Sequence, residues 1–425
     1  MNRENFLTQN LHWLGNNLTF KTKTRKIFFD LLQNLKYRPM IFITGMRRVG
    51  KSTLMKQMIQ HLIDKSKVSP EQIVIWEWSR FNTSQELQDL FQSYLDQVGD
   101  PKKLFYFFMD EIQYIDGFEG ILKLFYDRYE NLRIVLTGSL SLYYKRRMNE
   151  SLAGRFVPFG LLPLNFEEYL DFSCEKGLEK FTQAKNELNP NLKQGLAKEL
   201  NIYFRKFLLS GRFPDTIEYT NNQDVSTYIQ SIITQSLNQD SIDYFNITKP
   251  RQINLLYTYL AQNNGSEISL QKLSNQLSIA WVTVKEYLDI LELLGLIYPV
   301  FNTDNPLKLT QARQKIYLNS AFSLCFQDSN LDINLGLAVE SYILERMLEQ
   351  KQKVYFYRHR NAEVDLINYN QKIAWEVKFR SQIKARDVLN LQKISQKLSL
   401  DSHLISMFQT VSDFANISYT PACLF

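Results

Sequence analysis

Cysteine is scarce in this chain of 425 residues. The three present, Cys174, Cys325 and Cys423, lie too far apart for a disulfide framework or a zinc pattern, so a reducing compartment is expected. The four histidines, His12, His61, His359 and His403, are likewise scattered. No uninterrupted apolar run is long enough to cross a bilayer, and the opening stretch MNRENFLTQN lacks the apolar core of a secretion signal. A cytoplasmic protein with no membrane partner is the expectation. Internal repeats and low-complexity tracts are also missing. What remains is rich in core material: 44% of residues are hydrophobic and 13% aromatic, which argues against disorder. The length implies two to four domains. The net charge of +6 is compatible with nucleotide or nucleic acid without requiring either.

The stretch GMRRVGKST, Gly45 to Thr53, interrupts two apolar segments. Before it, Met40 to Thr44 reads as a short buried parallel strand. After it, Leu54, Met58, Ile59 and Leu62 fall on one face of a helix. Gly45, Gly50, Lys51 and Ser52 meet the pattern G-x-x-x-x-G-K-S. A loop around a phosphate must turn successive N–H groups inward, and glycine permits that backbone while keeping side chains away. The helix behind it offers unpaired N–H groups to the anion. Gly45, Arg47, Arg48, Val49, Gly50, Lys51, Ser52 and Thr53 are therefore the expected nucleotide-binding residues. Lys51 would reach the β- and γ-phosphates and Ser52 would ligate magnesium. ATP and Mg²⁺ are the expected cofactors.

Four more strands are expected. Gln72 to Trp78 is the second. Leu104 to Glu111 is the third and ends in two acids where a strand's carboxyl end meets a ligand crevice. Asp110 would hold the magnesium shell and Glu111 would polarise the attacking water. Arg133 to Ser139 is the fourth, with Thr137 or Ser139 placed to sense the γ-phosphate. RFVPFGLL is the fifth, and Arg155 at its start would approach a phosphate of its own or a neighbouring subunit. A helix over FKTKTRKIFFDLLQNL would bring Arg25 or Lys26 beside the nucleotide.

The succession ITGMRRVGKSTL, FFMDEIQ, LTGSLS, LAGRF and LPLNFEEYL resembles prokaryotic AAA-type ATPases of the signal-transduction (STAND-like) branch. LSGRFPDTIEY is similar to their glycine-rich "GGFP" signature, with Arg212 where that signature has a second glycine, so a different local turn is expected. The resemblance implies a five-stranded P-loop core with a helical lid.

Asp171 to Leu200 is polar and lysine-rich, with a break expected at Asn189-Pro190. From Ile253 to Phe301 the pattern is helix, turn at Asn264-Gly265, short helix, longer helix ended by Gly295, and strand: a winged helix. Its would-be recognition helix supplies only Lys285 as a base, beside Glu286 and Asp289, which favours a protein contact over base reading.

Near the far end, AEVDLINY and KIAWEVKF read as a hairpin around Asn370 and Gln371. It would place Asp365 opposite Glu376, with Lys378 on the same face as Glu376. Two carboxylates suit a hard divalent cation, and a neighbouring lysine can orient water or stabilise a phosphate. Glu340, on a preceding helix, would complete the shell. EVD and EVK resemble the PD-(D/E)xK nuclease superfamily, which implies metal-dependent nuclease positions at Glu340, Asp365, Glu376 and Lys378.

The expected fold class is α/β: a P-loop NTPase core with a parallel five-stranded sheet (residues 1–170), a helical lid (171–245), a winged helix (246–312) and a nuclease-like domain (313–425). The expected activity is Mg²⁺-dependent ATP hydrolysis that controls the last two modules, with Glu111, Lys51, Arg155 and Ser139 as catalytic residues. The alternatives are a nucleotide switch that binds DNA or a protein without turnover, and an ATP-licensed DNA nuclease. Oligomers are compatible with either.

Overall fold

The computed structural model describes residues 3–15, 18, 23–100, 102–138, 152–210, 212–302, 314–322, 331–359, 362–380, 382–408 and 417–425. The chain divides into two compact units, Met1–Leu162 and Pro163–Phe425. No helix among the described residues is long and apolar enough to cross a membrane.

The first unit is built on five parallel strands, β1 (Met40–Thr44), β2 (Ile73–Glu77), β3 (Phe105–Asp110), β4 (Leu132–Gly138) and β5 (Phe156–Gly160), in the order β2-β3-β4-β1-β5. This is the expected α/β core. Its helices include α1 (Arg3–Gln9), α2 (Phe28–Asn34), α3 (Lys51–Asp64), α4 (Ser84–Gln97) and α5 (Phe118–Arg128). Every residue of β1 and β3 is buried, as a strand covered on both faces requires. On one face Phe91 of α4 stacks between Phe107 of β3 and Phe125 of α5, with ring centroids 4.3 and 4.2 Å apart. Pro158 lies in β5, an edge strand, where a missing N–H is tolerated.

The other edge, β2, is sealed by side chains that carry no local signature along the chain. The Asn10 carboxamide accepts from Ile75 N–H at 2.7 Å and donates to Ile75 O at 3.2 Å. Gln9 accepts from Glu77 N–H at 2.7 Å, and the Trp13 indole donates to Ile73 O at 2.8 Å. His12 Nε2 lies 3.0 Å from the same carbonyl. These groups stand where another strand would pair. The helix expected over FKTKTRKIFFDLLQNL is shorter than drawn: it spans only Phe28–Asn34.

The second unit opens with helices α6 (Phe166–Ser173), α7 (Glu175–Asn186) and α8 (Pro190–Leu209). The break at Asn189-Pro190 is a helix start: the Asn189 side chain accepts from the N–H groups of Asn191 and Leu192, and Pro190 takes the first helical position. Phe181, Leu200, Phe204 and Phe207 of these helices share one core with Val339 and Tyr342 of α13 (Leu331–Glu349; α9 to α12 are given below) and with Trp375 and Val377. Within this unit, then, the helices expected as a lid are part of the carboxy-terminal core. Arg212 adopts φ +60°, so an arginine holds a left-handed backbone that a glycine would favour.

Then follow α9 (Asn222–Gln235), α10 (Pro250–Gln262), β6 (Ser266–Ile268), α11 (Leu270–Leu277), α12 (Trp281–Leu293), β7 (Ile297–Asn302) and β8 (Gln314–Leu318). Gly265 and Gly295, both at φ +72°, make the turns expected of them. After α13 come β9 (Tyr355–His359), β10 (Ala362–Asn368), β11 (Ile373–Lys378), α14 (Ala385–Leu398), β12 (Asp401–Ser406) and β13 (Ser418–Pro421). The strands form one eight-stranded sheet, β13-β12-β11-β10-β9-β7-β8-β6. A parallel pairing of Phe301 and Asn302 in β7 with Tyr355 and Phe356 in β9 joins the two halves.

Candidate functional site

The loop after β1 has the backbone its sequence calls for. Gly50 sits at φ +98° as the cap of α3, and Arg48 at φ +66°. Gly45 is required by contact: a Cβ there would lie 2.1 Å from the Leu161 carbonyl oxygen. Lys51, 5% exposed, folds over the loop and donates to the carbonyls of Gly45 (3.1 Å) and Met46 (3.2 Å). Ser52 and Thr53 stand half-buried in the first turn of α3, where N–H groups lack helical partners. Arg47 donates to the Tyr114 hydroxyl at 3.2 Å, and Val49 is buried.

The acids of β3 arrive at the same place. Lys51 Nζ is 3.9 Å from Glu111 Oε1, and the Gln113 amide donates to Glu111 Oε2. Thr137, at the carboxyl end of the neighbouring β4, ties both acids. Its hydroxyl donates to buried Asp110 and accepts from Glu111 N–H at 3.1 Å. Of the two expected sensors, Thr137 is thus placed at the acids, while Ser139 lies outside the described residues. Magnesium fits this chemistry: buried Asp110 supplies a hard oxygen and Ser52 a hydroxyl.

Two arginines have placements that the strand pattern alone does not reveal. Arg155 precedes Phe156, whose strand partner is Met40, so it sits at the amino end of the sheet. The loop leaves β1 at Thr44, four residues or about 13 Å of strand away. The Arg155 guanidinium instead holds both carboxylate oxygens of Asp127, at 2.9 and 3.1 Å. The structure does not bring it to the loop of its own chain. Arg25 is buried and donates to the carbonyls of Val49 and Leu162, each at 2.9 Å. It thereby stands against the phosphate loop and ties it to the end of the first unit. Spacing along the sequence carries no signal for either placement.

In the second unit the hairpin forms as expected: Asn368 Oδ1 accepts from the N–H groups of Asn370 and Gln371 and closes the turn. Its alternation is broken by a bulge between Val364 and Ile367, which lets these two, three residues apart, share one core. Asp365 Oδ2 accepts from Val377 N–H at 3.0 Å and Lys378 Nζ at 3.1 Å. Lys378 also pairs with Glu376 at 2.6 Å. Glu340 Oε1 accepts from the Tyr317 hydroxyl at 2.6 Å. Missed by the sequence analysis is Lys315 of β8. Its ammonium, 5% exposed, lies 2.5 Å from Glu363, 3.9 Å from Asp365 and 4.0 Å from Glu340.

Burial and the neighbouring Asp365 charge push Glu340 up to about 7 and Glu376 up to about 8. Burial pushes Asp365 up as well, but Lys378, Lys315 and the Val377 N–H outweigh it and hold Asp365 below its usual range. Burial would neutralise Lys315, yet Glu340, Asp365 and Glu363 overcome that and raise it, so the ammonium stays charged. A divalent metal fits poorly here. Asp365, Glu340 and Glu376 already face internal cations. Among the described residues, no group of three or more His, Cys, Asp and Glu side chains is arranged to hold a metal.

Comparison with known proteins agrees with the first unit's geometry. Residues 37–170 match the family described as AAA domain. Residues 201–329 and 335–420 match two domains of unknown function, DUF8612 and DUF4143. An uncharacterized protein of Methanocaldococcus jannaschii is 28% identical over 318 residues, 69% of this chain and 65% of that protein. One from Haemophilus influenzae is 26% identical over 60% of each chain. The chain thus spans less than two thirds of these relatives' length. A second M. jannaschii protein, also uncharacterized, is 24% identical over 91% of this chain and 85% of its own. Among solved structures, a Walker-type ATPase of Pyrococcus abyssi aligns with TM-score 0.45 and 18% identity, over 72% of this chain and 99% of that one. The AAA match and the loop geometry agree on an AAA-type P-loop domain within the first unit.

Proposed function

We propose that the chain binds and hydrolyses ATP with Mg²⁺ at the Gly45–Thr53 loop, and that the nucleotide state sets the conformation of the second unit. The observation that carries this reading is Lys51, folded over the loop within 3.2 Å of two loop carbonyls and 3.9 Å from Glu111. Lys51 and the first-turn N–H groups of α3 would hold the phosphates, while Ser52 and Asp110 would hold Mg²⁺. The metal would offset the phosphate charge. Glu111, positioned by Gln113 and Thr137, would orient and deprotonate water. The route outward is Leu161–Leu162: Leu161 N–H donates to Thr44 O at 2.6 Å, and Arg25 grips Leu162 and the loop together.

Calorimetry and turnover test the proposal. Lys51→Ala should abolish ATP binding. Glu111→Gln should keep binding and slow hydrolysis by about 10²–10⁴-fold. Undiminished ATP affinity in Lys51→Ala would refute it. For the second unit's output, a protein partner is favoured over DNA. Helix α12 exposes Trp281 and Val282 and carries Lys285 as its one base. Salt-sensitive binding of duplex DNA that Lys285→Ala abolishes would reverse that preference.

A further inference from the structure

The second unit brings four carboxylates, Glu340, Glu363, Asp365 and Glu376, against two largely buried lysines. Lys378 comes with the hairpin motif. Lys315 comes from elsewhere: β8 pairs with β7, and β7 with β9, so the sheet itself carries Lys315 into the cluster. Its ammonium lies over the rings of Phe356 and Tyr317, 5.3 and 6.0 Å from their centroids. One ammonium meets Glu363, Asp365 and Glu340 within 4.0 Å. Glu376 Oε2 is buried without a hydrogen-bond partner, but other oxygens of the cluster are engaged further. Asp365 Oδ2 takes Val377 N–H and Lys378, Glu340 Oε1 takes the Tyr317 hydroxyl, and Glu363 also pairs with Arg358 at 3.4 Å.

A hard divalent ion needs several such oxygens at about 2.0–2.6 Å. An ammonium lodged among them satisfies the same carboxylates with one positive charge and repels a second cation. We propose that Lys315 is a built-in substitute for the metal: the carboxylate cluster binds no divalent ion and supports no metal-dependent phosphodiester cleavage. The nuclease-like arrangement serves instead as an ionic clasp that fixes β8 to the β10–β11 hairpin. It holds α10, α11 and α12 in one body with the carboxy-terminal strands.

Manganese binding to the full chain, without nucleotide, tests this by calorimetry and by electron paramagnetic resonance. Wild type and Asp365→Asn should take up manganese identically. Lys315→Met should gain one manganese site per chain that wild type lacks. Adding Asp365→Asn to Lys315→Met should remove that site. Manganese bound by wild type and lost in Asp365→Asn overturns the proposal, as does a folded Lys315→Met that gains no site. Should Lys315→Met fail to fold, the wild-type comparison still decides, with Glu376→Gln as a second probe of the same cluster. ATP binding at the first unit is unaffected by any of these outcomes, so failure here leaves the ATPase reading standing.

Discussion

Arg212 offers the sharpest energetic test. It is 2% exposed, and its guanidinium pairs with equally buried Glu345 and with Ser320, while Nε donates to Leu164 O at 2.9 Å. It also lies over the rings of Tyr342 and Phe207, 4.9 and 5.2 Å from their centroids. Arg212→Ala would strand the Glu345 carboxylate in the core, a loss of about 3–5 kcal/mol. Arg212→Gly would lose the same pair but recover about 1–2 kcal/mol of left-handed backbone strain, since φ is +60°. Glycine should therefore be the milder substitution, although it removes more atoms. Glu345→Gln in the Arg212→Ala background keeps an acceptor for the Ser320 N–H and removes the stranded charge, so the double variant should be more stable than Arg212→Ala. Urea denaturation, with hydrogen exchange read at the amides of α13, measures all three. If Arg212→Ala costs less than about 1 kcal/mol, or the effects of Arg212→Ala and Glu345→Gln simply add, the ion-pair reasoning fails.

Two further outcomes are expected in the first unit. Gly45→Ala should cost about 2–4 kcal/mol, from overpacking against the Leu161 carbonyl and from loss of the Leu161–Thr44 hydrogen bond, and should weaken ATP binding; wild-type melting and affinity in this variant would contradict the contact. Burial holds His12 below the usual histidine range, so the unfolded chain takes up its proton first as pH falls. Stability from this group is complete above about pH 6.5 and declines below it. Gln at position 12 keeps a donor for Ile73 without titrating. An equal drop between pH 7.5 and 5.5 in His12→Gln, read from urea midpoints, would remove His12 as the cause.

The readable parts of the chain share one property: they are local. A phosphate loop needs glycine at fixed offsets, and a doubly covered strand needs an unbroken apolar run, so β1 to β4 and the Gly45–Thr53 loop lie open in the sequence. The hairpin around Asn370 is legible for the same reason. What escaped depends on partners far along the chain. Lys315 looks like any strand lysine until β7 pairs with β9. Asn10 and His12 look like surface residues until β2 leaves an edge to cover. Arg212 reads as a departure from a glycine signature until Glu345, on a helix over a hundred residues later, supplies its reason. Arg155 is expected at a phosphate of its own or a neighbouring subunit, and parallel strand direction carries it to the opposite rim of its own sheet.

The continuity from β6 to β13 bears on how the gene should be cut for expression. The family match at 335–420 begins after β8, so a fragment with those bounds would discard Tyr317 and Lys315 and strip β9 of its neighbour. Such a piece would carry an unpaired strand border ready to recruit other chains, beside four acids left with one of their two buried lysines. Laboratories wishing to isolate the carboxy-terminal module should begin no later than α6, whose residues lie in the same core.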